Sequence, residues 1–155
     1  MSELRVPTIA TVAQVTCADG RVFAGRVFVP AAAFRHSGPM RPEEWVNDPA
    51  AFFPFLPDRE DAPVLLSKGE VVAISLAPPG PDDEPVTGEG TVHDLTVECR
   101  AARFEGELRI AMPEGQRRVL DALNRPERFL TLHAGKRQHL VHKRHITRVL
   151  EKKVP

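Results

Sequence analysis

Tyrosine is absent from the 155 residues, tryptophan occurs once and cysteine twice. Each scarcity removes a class of protein. Proteins that grip single-stranded nucleic acid normally stack bases on aromatic side chains, and the phenylalanines here fall at strand positions that suit a core. Two cysteines cannot staple a disulfide-dense secreted scaffold; Cys17 and Cys99 alternate with valines and read as small, buried, unpaired residues. No apolar run approaches the roughly 20 residues that cross a bilayer, and the opening M-S-E-L-R-V-P lacks a signal peptide's hydrophobic stretch. The expected location is the cytoplasm, with no membrane partner. Chemistry is equally thin. Gly88 to Gly90 has no following lysine or helix pattern to make a phosphate cradle, and Ser67 and Lys68 are adjacent on a strand, so they point apart. No catalytic residue and no cofactor are assigned, and the expectation is a non-enzyme.

Net charge is also missing, but its zero hides an asymmetry. Residues 1–90 carry −6 and residues 91–155 carry +6, with five of the six histidines in the second part. Such polarity bears on partners or self-association, and not on fold.

What the sequence does have is a statement made twice. Val15 to Pro30 reads V-T-C-A-D-G-R-V-F-A-G-R-V-F-V-P, and Val97 to Ile110 reads V-E-C-R-A-A-R-F-E-G-E-L-R-I. Val15 and Cys17 answer to Val97 and Cys99; Phe23, Gly25, Val27 and Val29 answer to Phe104, Gly106, Leu108 and Ile110. Alternation of apolar and polar positions is the period of a half-buried strand. Asp19-Gly20 marks a hairpin turn, and a glycine inside the returning strand marks a bulge, a bend or a close backbone approach. Next, P-E-E-W-V-N reads as a short helix, with proline at its start and acids in its first turn. Trp45 is its packing anchor. R-R-V-L-D-A-L-N is its counterpart, and both end in Asn-x-Pro, at Asn47 and Asn124. D-P-A-A-F-F-P-F-L and R-F-L-T-L read as third strands, the former with Pro54 at an edge or bulge. The closing strand pairs turn at Lys68-Gly69 and Lys143-Arg144. Leu65, Lys68, Val71 and Ile74 are answered by Leu140, Lys143, Ile146 and Val149. The organisation is a first repeat over 1–77, a Pro/Gly/acidic connector over 78–90 and a basic second repeat over 91–155. Repeats this short need a twin or further copies to cover their edges.

The order strand, turn, glycine-bent strand, third strand and closing pair resembles the Sm-like small barrels, particularly the branch containing the bacterial RNA chaperones. V-T-C-A-D-G-R-V-F-A-G-R-V looks like that family's first motif, and K-R-H-I-T-R-V at Lys143 to Val149 like its lysine-led closing motif. The resemblance implies an all-β fold of two tandem five-stranded small barrels, each with a short helix inserted before its third strand. It also implies edge-to-edge pairing with neighbours into rings, and single-stranded RNA held by the turns at Lys68 and Lys143.

Two sets of side chains are candidates for binding. Lys68, Lys143, Arg144, Arg148, Lys136 and Arg137 are the residues expected to neutralise phosphates if the basic repeat meets RNA. His133, His139, His142 and His145 are imidazoles of the type that zinc accepts, but His139 and His142 lie on opposite faces of a strand, so no metal site is assigned. The leading expectation is a non-catalytic binding or scaffold protein that acts through sheet edges and unlike charged halves, as a homo-oligomer. Its outside partner would be an acidic protein. The alternative is an RNA-binding protein.

Overall fold

The computed structural model describes residues 7–32, 40–77, 90–100, 102–112, 115 and 118–152. The connector, apart from Gly90, lies outside the described residues, as does most of the loop before the first helix. The protein is all-β: among the described residues ten antiparallel strands form one sheet, accompanied by two five-residue helices. The elements run β1 (Thr8–Cys17), β2 (Val22–Pro30), α1 (Pro42–Val46), β3 (Phe52–Pro57), β4 (Val64–Ser67) and β5 (Val71–Leu76). They continue as β6 (Thr91–Cys99), β7 (Arg103–Ile110), α2 (Val119–Leu123), β8 (Phe129–Ala134), β9 (Arg137–His142) and β10 (Ile146–Glu151). A 3-10 turn joins β4 to β5 at Lys68–Glu70, and another joins β9 to β10 at Lys143–His145.

The two halves are built alike. The sheet order is β10-β6-β7-β8-β9-β5-β1-β2-β3-β4, so each half runs last strand, first, second, third, fourth. Registers also agree. Val15 stands opposite Phe23 and Ile74, while Val97 stands opposite Phe104 and Val149. Phe53 faces Leu66, and Leu130 faces Val141. The alternation that signals a strand is obeyed: Ala13, Val15 and Cys17 are buried along β1 while their neighbours are less so. Both cysteines are free and buried, and burial pushes each thiol above its ordinary pKa.

Glycine at the middle of β2 and of β7 serves close approach. A Cβ on Gly25 would run into the Leu56 carbonyl oxygen and lie 2.9 Å from Pro57 Cα, and one on Gly106 would meet His133 O at 3.0 Å and Leu132 Cβ at 3.1 Å. The ladder from β1 to β2 passes Gly25 without a register shift, so the glycine accommodates the crossing third strand and does not mark a bulge there. Pro54 is exposed and lies beyond the β2 ladder, which stops at Phe55. Its missing N–H therefore costs no ladder bond to β2.

Two cores result. Val15, Val27, Phe55 and Ile74 centre the first, with Trp45 and Val46 from α1; Val97, Leu108, Leu132 and Val141 centre the second. They meet at β5 and β9, paired Ala73 to Val141 and Ile74 to Leu140. All four are fully buried. Adjacent residues of a strand face opposite ways, so Ile74 and Leu140 enter the first core while Ala73 and Val141 enter the second. Phe129, although on β8, joins the first core.

Gly25→Ala is expected to destabilise the fold by about 2–4 kcal/mol, since its collision is with backbone that cannot swing aside. Gly106→Ala should cost roughly half as much, because its contacts are tight and not overlapping. Urea unfolding of both variants measures the difference.

Candidate interaction surface

The six basic residues proposed for phosphate do not converge. Lys68 is 2% exposed. Its Nζ donates to the carbonyl of Asp48 at 3.1 Å and pairs with the Asp48 carboxylate at 3.0 Å, just past the end of α1. Lys143 does the equivalent work for α2, donating to Ala122 O at 2.9 Å and Arg125 O at 3.0 Å. Short helices leave their last carbonyls unpaired; Lys143 caps one of them at Ala122, and both lysines tie down the chain just past the helix, at Asp48 and at Arg125. Burial holds the Lys143 ammonium below its ordinary pKa. Arg148 is held by two hydrogen bonds to Glu98, at 2.9 and 3.0 Å. Lys136 and Arg137 are exposed at the turn entering β9, and Arg144 is exposed beyond its other end. At about 3.3 Å per residue a six-residue strand separates them by roughly 20 Å. As they stand, then, Lys68, Lys143 and Arg148 have protein partners, and the exposed three are divided.

The histidines are likewise dispersed, and no group of three or more potential metal ligands gathers among the described residues. His139 Nδ1 bonds the Ser75 hydroxyl at 2.7 Å, and His145 Nε2 bonds Gly69 O at 2.8 Å. His142 stacks on Phe129, with ring centroids 4.5 Å apart and an interplanar angle of 15°. Its Nδ1 is buried without a hydrogen bond. Desolvation, then the neighbouring His145, lowers its pKa to about 4. All three residues, with Ser75 and Gly69, belong to the joint between the halves.

That joint points to the surfaces that matter. Within the chain, β5 lies against β9. Transferred by one repeat, the same pairing would set β10 against β4, the two ends of the sheet order. Here the equivalent positions are open. Leu140 is 0% exposed at the joint and its counterpart Leu65 is 70% exposed. Ser75 pairs with His139; their counterparts Leu150 and Val64 are 40% and 43% exposed. Beside β4, Phe23, Phe52, Val64, Leu65, Leu66 and Val71 contribute to a largely apolar cleft of about 470 Å³. A second cleft, about 690 Å³, lies between α1 and the β7–β8 face. Its charged lining includes Glu43, Asp48, Arg109 and Lys143, acids and bases together, so it favours neither sign of ligand.

Sequence reasoning missed that the lysines would be spent on helix ends. The available signal was the shared order, each lysine following its Asn-x-Pro helix end and third strand in the turn of the closing pair, at Lys68 after Asn47 and at Lys143 after Asn124.

Lys68→Met is expected to lower stability by about 1–3 kcal/mol, because the Asp48 carbonyl and carboxylate lose their donor; thermal unfolding reports it. For His142 the sign follows from its lowered pKa. Well above pH 6.5 both states are neutral, and its contribution is fully present. Between 6.5 and about 4 the unfolded chain takes up a proton that the fold refuses, so stability falls with pH, by up to about 3 kcal/mol. His142→Phe should flatten much of that slope in denaturation series at each pH, leaving the smaller part due to His133 and His139, whose pKa values burial also lowers.

No family model, curated protein or solved structure matches this chain, so a functional reading rests on the geometry of the joint and of the open edges.

Proposed function

We propose that this protein is a non-catalytic binding or scaffold protein, a tandem of Sm-like small barrels, which assembles with further copies of itself through the edges at β4 and β10. One observation carries the reading. The pairing of β5 with β9 joins two similar halves, while the equivalent strands at the sheet's ends expose Leu65, Val64 and Leu150. An open strand edge with apolar side chains is a template for pairing. Transferring the internal register sets Val149 opposite Leu65 and Leu150 opposite Val64. The repeated strand order, five strands in each half, supports the Sm-like reading. The unlike charges of the halves support association of one copy's second half with another's first, an effect that steers encounter more than it adds affinity. The same polarity supports an acidic protein as the outside partner; the cytoplasm is the setting we propose for it.

The alternative, single-stranded RNA on the basic half, has less support. Lys68 and Lys143 cap helices, Arg148 is paired with Glu98, and the remaining exposed cations are split between the two ends of β9.

Light scattering with size exclusion at several concentrations should give a mass above that of one chain. Leu65→Lys, placed at an exposed position, is expected to leave the monomer's stability within about 0.5 kcal/mol of wild type and to return the mass to one chain. A wild type that stays monomeric throughout, yet binds labelled single-stranded RNA in a salt-sensitive way, would reverse the order of the two readings.

A further inference from the structure

The joint within the chain contains a side-chain clamp whose second copy stands open. Asn47, just past α1, takes the backbone of Phe129 in the other half. Its Oδ1 accepts from Phe129 N–H at 2.8 Å, and its Nδ2 approaches Phe129 O at 3.5 Å while also donating to Glu43 O at 2.9 Å. An amide that matches a main-chain N–H and C=O together satisfies a strand end that would otherwise lie buried and unpaired. Phe129 beneath it is 3% exposed.

Repeat equivalence assigns every member of this clamp a counterpart. Asn124 follows α2 as Asn47 follows α1, with its backbone N–H bonded to Ala122 O and Leu120 O in the manner of a helix end. Phe52 opens β3 as Phe129 opens β8, opposite Ser67 as Phe129 is opposite His142. Yet Phe52 is 59% exposed, and the Asn124 side chain is exposed with no protein partner among the described residues. Nothing within one chain brings these two together, because Asn124 belongs to the half carrying β10 and Phe52 to the half carrying β4, at opposite ends of the sheet. Charge agrees with the same placement. At the internal joint His145 of one 3-10 turn meets Gly69 of the other, and the transferred position brings exposed Glu70 to exposed Arg144, unlike charges at a contact.

We infer that the Asn124 carboxamide is a recognition element for a second copy of this chain, clamping the main chain of that copy's Phe52 and covering its ring. The inference rests on the edge-pairing reading above and adds a specific residue to it. It also gives the edge a means of selecting its partner, since an edge strand alone pairs promiscuously. A carboxamide aimed at one strand start sets register, and a slip by one residue would leave it facing a side chain.

Sedimentation equilibrium of the full chain distinguishes the possibilities. Asn124→Ala should weaken self-association roughly tenfold, the worth of hydrogen bonds totalling about 1.4 kcal/mol, with no change in the monomer's unfolding midpoint. Asn47→Ala, by contrast, should lower that midpoint. A geometric readout runs in parallel: Asn124→Cys mixed with Phe52→Cys should give a disulfide-linked dimer on mild oxidation, while neither variant alone does so under the same conditions. Unchanged association of Asn124→Ala, together with no cross-link in the mixture, overturns the clamp and leaves edge pairing standing. A wild type that never associates overturns both.

Discussion

The pairing of β5 with β9 is the contact on which the rest of the molecule depends. Most strands of this sheet bury one face, but β5 buries both, because Val71 and Ile74 serve the first core while Val72 and Ala73 serve the second. A strand apolar on both faces cannot be an edge without exposing one of them to water. At about 25 cal/mol per Å² of apolar surface, leaving it uncovered would be expensive for a half-molecule this small. The two halves therefore form one continuous sheet, and each core takes residues from the other half instead of sitting apart. Phe129, carried by the second half and buried in the first core, is the clearest sign of it.

The helices follow from the same economy of short elements. Neither five-residue helix would persist alone, since helices that short are unstable in water without tertiary support. Each is closed at its start by an acid, Glu44 or Asp121, that accepts from the backbone N–H of Arg41 or Arg118. At its end each is closed by a lysine borrowed from the turn after the fourth strand of its half. Those lysines look like free cations in a sequence and behave as structural donors in the fold. The two lysines thus have the same duty in each half, whereas Asn47 and Asn124 do not. One of that pair is occupied and the other is open, for the reason that separates an internal joint from an end.

Polarity between the halves acquires a location once the sheet is in view. The first half ends at β4, followed by exposed Glu70, and the second at β10, preceded by exposed Arg144. Those unlike charges stand at the two surfaces that repeat equivalence makes complementary, along with the apolar side chains of Leu65, Val64 and Leu150. At the internal joint the corresponding pair is polar, Ser75 with His139. A joint between chains would be drier at that position than the joint within one.

Local chemistry by itself determined much of this protein. Alternating valines, the Asp19-Gly20 turn, the glycines Gly25 and Gly106 and the Asn-x-Pro endings name ten strands and two helices, because strand period and turn preference are set by neighbours a few residues away. The repeat was legible for the same reason. What only the tertiary structure decided was which strand of one half meets which strand of the other, and which polar groups are consumed there. Lys68 could not be recognised as buried, nor His142 as a desolvated imidazole, because their partners Asp48 and Phe129 reach them through folding. Burial is a property of the assembled surface. Hydrogen bonds such as the one from Phe129 N–H to Asn47, 82 residues apart in sequence, exist only after two local structures have found each other.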